Sequence, residues 1–486
     1  MDKPNILIFM TDHQRGDTVL PEHPAVMPTI DAFAKQGVTF PHTYCPSPHC
    51  CPSRATFHTG LYPSRHGVWN NICNDQALSR GPRPGVRLWS EDLAAAGYNM
   101  AWSGKWHVSV EKTPKDCGWA QEFMVNGHKP NEHGIQWAQY QKLAEKPDPT
   151  ERGEGQILRP GYGTYTIYGT RDPAPMGDEK IFAAGAQALA ALARGGKPWC
   201  LYVGVNGPHD PYVVPQKFLD LYQLDDVPLP PSFADTMDDK PRVYKRMRET
   251  RFGQLSEREV REAVRHFWAY CSYLDDMFGR LLAALEAAGQ ARDTLVLFTS
   301  DHGDYCGDHG LFAKGIPGFR GAYHVPAVIR WPAGVKSPGR RVEEFVSLAD
   351  FGPTFLEVAG AGGCPMDRTF SGASLLPFLR GERPPEWRDE MHAQCNGVEL
   401  YYTQRSVMTK EYKYVWNGFD HDELYDLRKD PHEMVNLAAR GEHEAIKRDL
   451  CRRLWRFAHK EQDTAINSYI TVSLAPYGPA EAFRTT

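Results

Sequence analysis

Four clusters in this sequence combine residue types that can do chemistry at short range. The first is Cys50-Cys51-Pro52-Ser53-Arg54, running on through Ala55-Thr56-Phe57-His58-Thr59-Gly60. Pro52 suits the first turn of a helix, so a cysteine just ahead of it sits where the helix dipole stabilises negative charge, and Arg54 adds a fixed cation. Taken alone, the cysteine reads sooner as a buried structural residue. The second cluster is Gly104-Lys105-Trp106-His107. On an extended segment Lys105 and His107 point the same way and can converge on one anionic group. The third sets Asp12 behind one apolar run and Asp301-His302 behind another. Ligands of open α/β sheets gather outside the carboxyl ends of strands. Two carboxylates brought together there repel unless a cation lies between them, and oxygen-rich ligation with one imidazole suits Ca²⁺, Mn²⁺ or Mg²⁺. Separate helix caps are the plainer alternative, for Asp12 more than for Asp301. The fourth cluster is Asn206-Gly207-Pro208-His209-Asp210-Pro211 together with Lys314, where turn chemistry and a solvated lysine are the ordinary readings.

The elements that must position these residues alternate strand and helix. Asn5–Met10, Asn99–Ser103, Trp199–Val205, Thr294–Ser300 and Ala327–Trp331 are short apolar runs of strand length. Met27–Gly37, Trp89–Ala96, Glu179–Arg194 and Ser256 to about Ala288 read as helices, the last opened by a Ser256/Glu259 capping box and closed by Gly289. Alternation of this kind predicts an α/β fold with a largely parallel sheet sandwiched by helices. Near residue 380 the pattern changes. Gly381, Pro384 and Pro385 interrupt the chain, then Ser406–Lys410 and Glu411–Trp416 look like adjacent strands and Glu442–His459 like an amphipathic helix. We therefore expect a catalytic domain over 1–380 and a smaller α+β subdomain over 381–486. Gly127–Pro175 has weak periodicity and many Gly, Pro and charged residues, as expected for an excursion over one end of the sheet.

Composition narrows the function classes. A net charge of −5 leaves no bulk field to attract nucleic acid or an anionic membrane. No stretch approaches the roughly 20 apolar residues of a bilayer span, and the N-terminus lacks the form of a secretory signal. A cytoplasmic, thiol-reducing compartment is the expectation. Eleven cysteines is an odd count, so at least one stands outside any intramolecular disulfide.

The pattern Cys50-x-Pro52-Ser53-Arg54 followed by Thr59-Gly60 resembles the signature of type I sulfatases of the alkaline phosphatase superfamily. Only Cys50 fits its register. Gly97-Tyr98 with Gly104-Lys105-x-His107 resembles the second sulfatase signature, and Asp301-His302-Gly303 its metal loop. Gly207-x-His209, Lys314 and the stretch from Asp422 to Leu437 extend the likeness over nearly the whole chain. The resemblance implies an alkaline-phosphatase-like fold and a sulfuric ester hydrolase. It implies oxidation of Cys50 by a formylglycine-generating maturation enzyme, with the hydrated aldehyde as nucleophile. It implies one divalent cation on Asp12, modified Cys50, Asp301 and His302, with Ca²⁺ the first choice and Mn²⁺ or Mg²⁺ the alternatives. Arg54, Lys105 and Lys314 would neutralise the sulfate oxygens, His209 would protonate the leaving alcohol, and His107 would act as base in regenerating the aldehyde.

There is one departure. Many sulfatases carry paired aspartates where this chain has Asp12-His13, and some superfamily relatives acting on choline sulfate or phosphonate monoesters carry Gln at the second position. His302 likewise stands where other sulfatases have Asn, which brings in Mn²⁺ as an alternative to Ca²⁺; whether His13 or Gln14 reaches the metal is left open. A phosphonate monoester or phosphodiester hydrolase is therefore the second reading, and an unmodified, non-catalytic metal-binding protein the third. The expected substrate is a small sugar, choline or aryl sulfate. His324, Trp106, Asp210 and the Gly127–Pro175 excursion are pocket candidates, and the sequence leaves a homo-oligomer open.

Overall fold

The computed structural model describes residues 3–129, 137–173, 176–361, 368–397, 400–464, 466–469 and 471–484. The apolar run after Pro4 forms the strand Asn5–Thr11, buried on both faces, at the middle of an eight-stranded sheet. Its neighbours Thr294–Ser300 and Trp199–Gly204 both run parallel to it, and Asn99–Lys105 and Gln121–Asn126 continue the parallel half. On the other side Ala327–Arg330 pairs antiparallel with Thr294–Ser300, followed by Val38–Thr39 and Arg340–Arg341. The largely parallel sheet read from the sequence is thus present, with one antiparallel flank.

Period-2 alternation sends the side chains of these strands into two aromatic layers. Phe9 and Phe298 meet Phe278 of the helix Glu257–Ala287, which in turn meets Phe33 of the helix Pro28–Lys35. On the opposite face Tyr202 stacks on Trp102 at 3.9 Å, next to Trp119, His58 of the helix Cys50–Thr59 and Trp89 of the helix Trp89–Ala95. Helices therefore cover both faces. Among the described residues no helix is long and apolar enough to cross a membrane.

The later chain builds a four-stranded antiparallel sheet in sequence order, Glu390–Cys395, Gln404–Thr409, Tyr412–Asn417 and Glu423–Asp426. The helix Glu444–Lys460 packs its Leu450, Leu454 and Trp455 against Val407, Tyr414 and Trp416. Met391, Ala393, Met408 and Tyr425 join the main core, so the small sheet shares a hydrophobic interior with the large one. The excursion after Gly127 contains a helix, Trp137–Ala144, and a hairpin of Gln156–Arg159 with Gly163–Thr166. Tyr168–Thr170 then pairs in parallel with Tyr212–Val214, directly after His209-Asp210-Pro211. Residues 130–136 and 174–175 of the excursion lie outside the described residues.

Candidate active site

Asp12 and Asp301 each follow the end of a central strand, and hydrogen bonding of the parallel ladder brings the two ends side by side. Cys50 opens the buried helix Cys50–Thr59, whose N-terminus faces both carboxylates. Ligand atoms of Asp12, Cys50, Asp301 and His302 all lie within 4.8 Å of one another, and all four residues are buried. The Cys50 Sγ is 3.3 Å from His302 Nε2 and 3.8 Å from Asp12 Oδ1.

Basic groups surround this core. Arg54 Nε donates to Asp301 Oδ2 at 2.8 Å, one Nη donates to Tyr202 Oη at 2.8 Å, and the other lies 3.5 Å from Asp12 Oδ2. Lys105 Nζ donates to Asp12 Oδ2 and reaches Cys50 Sγ at 3.6 Å. Burial alone would raise the Asp12 carboxyl, but Lys105 and Arg54 hold it well below the usual carboxylate range. Lys314 Nζ donates to His13 Nε2 and lies 3.2 Å from His209 Nε2. The His13 ring lies between those of His209 and His302, with centroids 3.9 and 4.4 Å away and the rings tilted by 37° and 56°. Burial pushes His302 and His209 down to about 4, and Lys314 adds to it, so their imidazoles are neutral at pH 7. Asp210 Oδ1 sits 3.2 Å from His209 Nδ1.

The backbone is bent to aim these groups. His13, His107 and Ala313 occupy the left-handed region at φ 69°, 53° and 60°, a conformation non-glycine residues adopt at a cost. Gly104 is required where its strand meets its neighbour, because a Cβ there would lie 2.0 Å from Gly204 O. His107 turns its ring onto Gly127, where a Cβ would come within 2.3 Å of it.

The donor set fits a divalent cation. His302 Nδ1–H donates to Gly303 O at 2.9 Å, which leaves the Nε2 lone pair facing Asp12 and Cys50. Asp12, Asp210 and Asp301 face Arg54, Lys105 and Lys314, three charges of each sign, so a divalent cation would leave the pocket positive and ready for an anion. His13 also belongs to a ligand group, with Asp12, Cys50 and His209.

A sulfatase family model matches residues 4–361, and a second model, N-sulphoglucosamine sulphohydrolase, C-terminal, matches residues 307–460. The chain belongs to the sulfatase family. It is 33% identical over 461 residues to a choline-sulfatase of Rhizobium meliloti (strain 1021), covering 90% of this chain and 82% of that one. It is 29% identical to the multifunctional alkaline phosphatase superfamily protein PehA of Trinickia caryophylli, over 95% and 97% of the two chains. The fold is that of the phosphonate monoester hydrolase of Agrobacterium radiobacter, with a TM-score of 0.76 at 24% identity over 95% of this chain and 97% of that one.

In this sulfatase-family hydrolase the sequence-derived residues do not all meet. Trp106 is a correction: it is fully buried, its indole N–H donates to Lys112 O at 2.8 Å, and its ring packs against Trp102 and His58. It is a core residue with no face for a substrate. His324 is a second correction, since its Nε2 bonds Pro41 O at 2.7 Å, its ring lies against Tyr44, and it borders a different cavity, beside Arg15 and Asp17. The structure also brings in residues the sequence reading did not single out. Tyr202 anchors Arg54, and Asp304 Oδ2 accepts from His13 Nδ1 at 3.0 Å and from Tyr212 Oη at 2.9 Å. Burial and Asp210 push the Asp304 carboxyl up to about 8. Asp304 lies within the metal-loop motif and could have been flagged there. Tyr202 lies in an ordinary apolar strand and carries no such signal.

Proposed function

We propose that this protein hydrolyses sulfate monoesters, with position 50 acting as formylglycine after a maturation enzyme has oxidised Cys50. The observation that supports it is the meeting of Cys50 Sγ with Asp12, His302 and Lys105 in one buried pocket. Asp12, Asp301 and His302 would hold the divalent cation, with Ca²⁺ or Mn²⁺ the candidates, and the cation would polarise the sulfate and favour the deprotonated nucleophile. Arg54, Lys105 and Lys314 would bind the sulfate oxygens as preorganised donors. Because His209 Nδ1–H donates to Asp210 O at 2.7 Å, its Nε2 lone pair faces the Lys314 ammonium, which would supply the proton that His209 relays to the leaving alcohol. His107 would be the base that returns position 50 to its resting form. Residues 1–380 would carry this chemistry, with 381–486 as a buttress. Ten described cysteines are free thiols, which supports a reducing compartment such as the cytoplasm.

A second reading, phosphonate monoester hydrolysis, is favoured by two imidazoles, His13 and His302, beside Asp12. Comparing kcat/KM for 4-nitrophenyl sulfate with that for 4-nitrophenyl phenylphosphonate decides between them. The sulfate is expected to win; about a thousandfold preference for the phosphonate would overturn the first reading.

A further inference from the structure

The buried cluster opens to solvent on one side. His13 and His302 have fully buried side chains, whereas the His209 side chain is 34% exposed. Whatever is esterified to the sulfate must leave past His209. The wall at that opening comes from the excursion. Tyr165 Oη donates to Asp210 Oδ2, and the Arg159 guanidinium lies 4.1 Å from the Tyr165 ring centroid and 5.5 Å from that of Tyr162. A second arginine is brought up by Gln254, whose side chain clasps the Leu158 backbone from both sides, at 2.8 Å to its N–H and 3.0 Å to its carbonyl. Arg251 lies three residues before that clasp, its guanidinium over the Phe252 ring at 4.9 Å.

Neighbouring arginines are spoken for. Arg152 pairs with Glu259, and Arg248 donates to backbone carbonyls of Asp235 and His309. Among the described residues Arg159 and Arg251 form no ion pair, and the charge of Arg251 acts against that of Arg159. Asp210 acts on both charges from a distance, but among the described residues it forms no ion pair with either, and its oxygens already serve Tyr165 and His209. Two like charges held beside aromatic faces at the mouth of an anion pocket are relieved when a further anion comes between them.

We propose that Arg159 and Arg251 form a subsite for a negative charge carried by the alcohol part of the substrate. The preferred substrates are then sulfate esters whose ring-bearing leaving group is itself anionic, through a carboxylate or a second sulfate, with Tyr162 and Tyr165 as stacking faces. This rests on the sulfate-ester reading above and separates the chain from its choline-sulfatase relative, whose name implies a cationic leaving group.

The test is the ratio of kcat/KM for 4-carboxyphenyl sulfate over 4-carbamoylphenyl sulfate, two esters of nearly equal shape; 4-sulfooxyphenyl sulfate in place of the carboxylate ester distinguishes a second sulfate. Arg159→Gln and Arg251→Gln should each lower that ratio about tenfold, as loss of one charge-assisted contact does. Arg159→Lys should keep most of it, and choline sulfate should be a poor substrate of the unaltered enzyme. A ratio that neither glutamine variant moves, or a preference for choline sulfate over both aryl esters, overturns the subsite. If the unaltered enzyme releases sulfate from no ester, the reaction reading fails by itself. Calorimetric binding of the two aryl esters to Cys50→Ala, alone and combined with Arg159→Gln, then decides the subsite by the same ratio.

Discussion

Charges are buried in two regions of this molecule, and they are treated in opposite ways. At the C-terminal sheet three sets of buried charges are closed by protein. Arg405 grips Asp463 with two nitrogens at 2.6 and 3.1 Å, Lys413 pairs with Glu433, and Glu423 accepts from Tyr244, Asn417 and Tyr425. Among the described residues none of these charges lacks a partner of the protein's own. Around Cys50 the closure is incomplete. Among the described residues Lys314 hydrogen-bonds to imidazoles and to no carboxylate, the lone pair of His302 faces a thiol, and two carboxylates share one small space. Buried ionic groups cost desolvation energy wherever they lie. A complete network therefore reads as architecture, and an incomplete one as a place made for something else.

That contrast can be broken by substitution. Arg405→Ala removes the cation that offsets the buried Asp463 carboxylate and should cost about 3–5 kcal/mol of folding stability; chemical denaturation would show it as a lowered midpoint. An unchanged midpoint would mean the closed network carries no load. Lys314→Met should do the reverse. It removes a cation that, among the described residues, hydrogen-bonds to no carboxylate, so the denaturation midpoint should nearly hold, while kcat/KM for an aryl sulfate falls by about two to three orders of magnitude. A large fall in stability with little change in rate would assign Lys314 to architecture instead.

The smallest effect concerns the excursion that walls the site. Arg152, by hydrogen bonding, holds the Glu259 carboxyl down at about 2, below its ordinary 4.5. A depressed carboxyl contributes stability that is whole above pH 4.5 and lost as pH falls through about 2. For a partly exposed pair this is worth about 1 kcal/mol. Amide exchange in the Gln156–Thr166 hairpin should therefore quicken between pH 4.5 and pH 2 more than in the central strands, after correction for intrinsic exchange rates. Equal changes in both would detach the hairpin from that pair.

Much of this was legible in the residues themselves. The central strands announced themselves as apolar runs because both of their faces are covered, and the Ser256/Glu259 box caps its helix as read. Asp12, Asp301 and His302 were legible because a strand end fixes where the next side chain goes. Tyr202 was not, since its bond to Arg54 joins residues 148 apart in the chain. The excursion was opaque for a related reason: Tyr165 gains its role only by meeting Asp210 across a hairpin that no apolar period marks. Trp106 shows a rule applied halfway. Lys105 closes its strand facing the site, so the next residue, Trp106, faces the other side, and there it joins the aromatic core.

The central claim is that turnover requires an aldehyde at position 50. Its most direct test is mass spectrometry of the peptide spanning Cys50, across preparations made with graded amounts of a maturation enzyme, set against sulfate-ester hydrolysis by the same preparations. Specific activity should rise in proportion to the aldehyde fraction and vanish with it. Full activity in a preparation whose position 50 is entirely thiol would contradict the account.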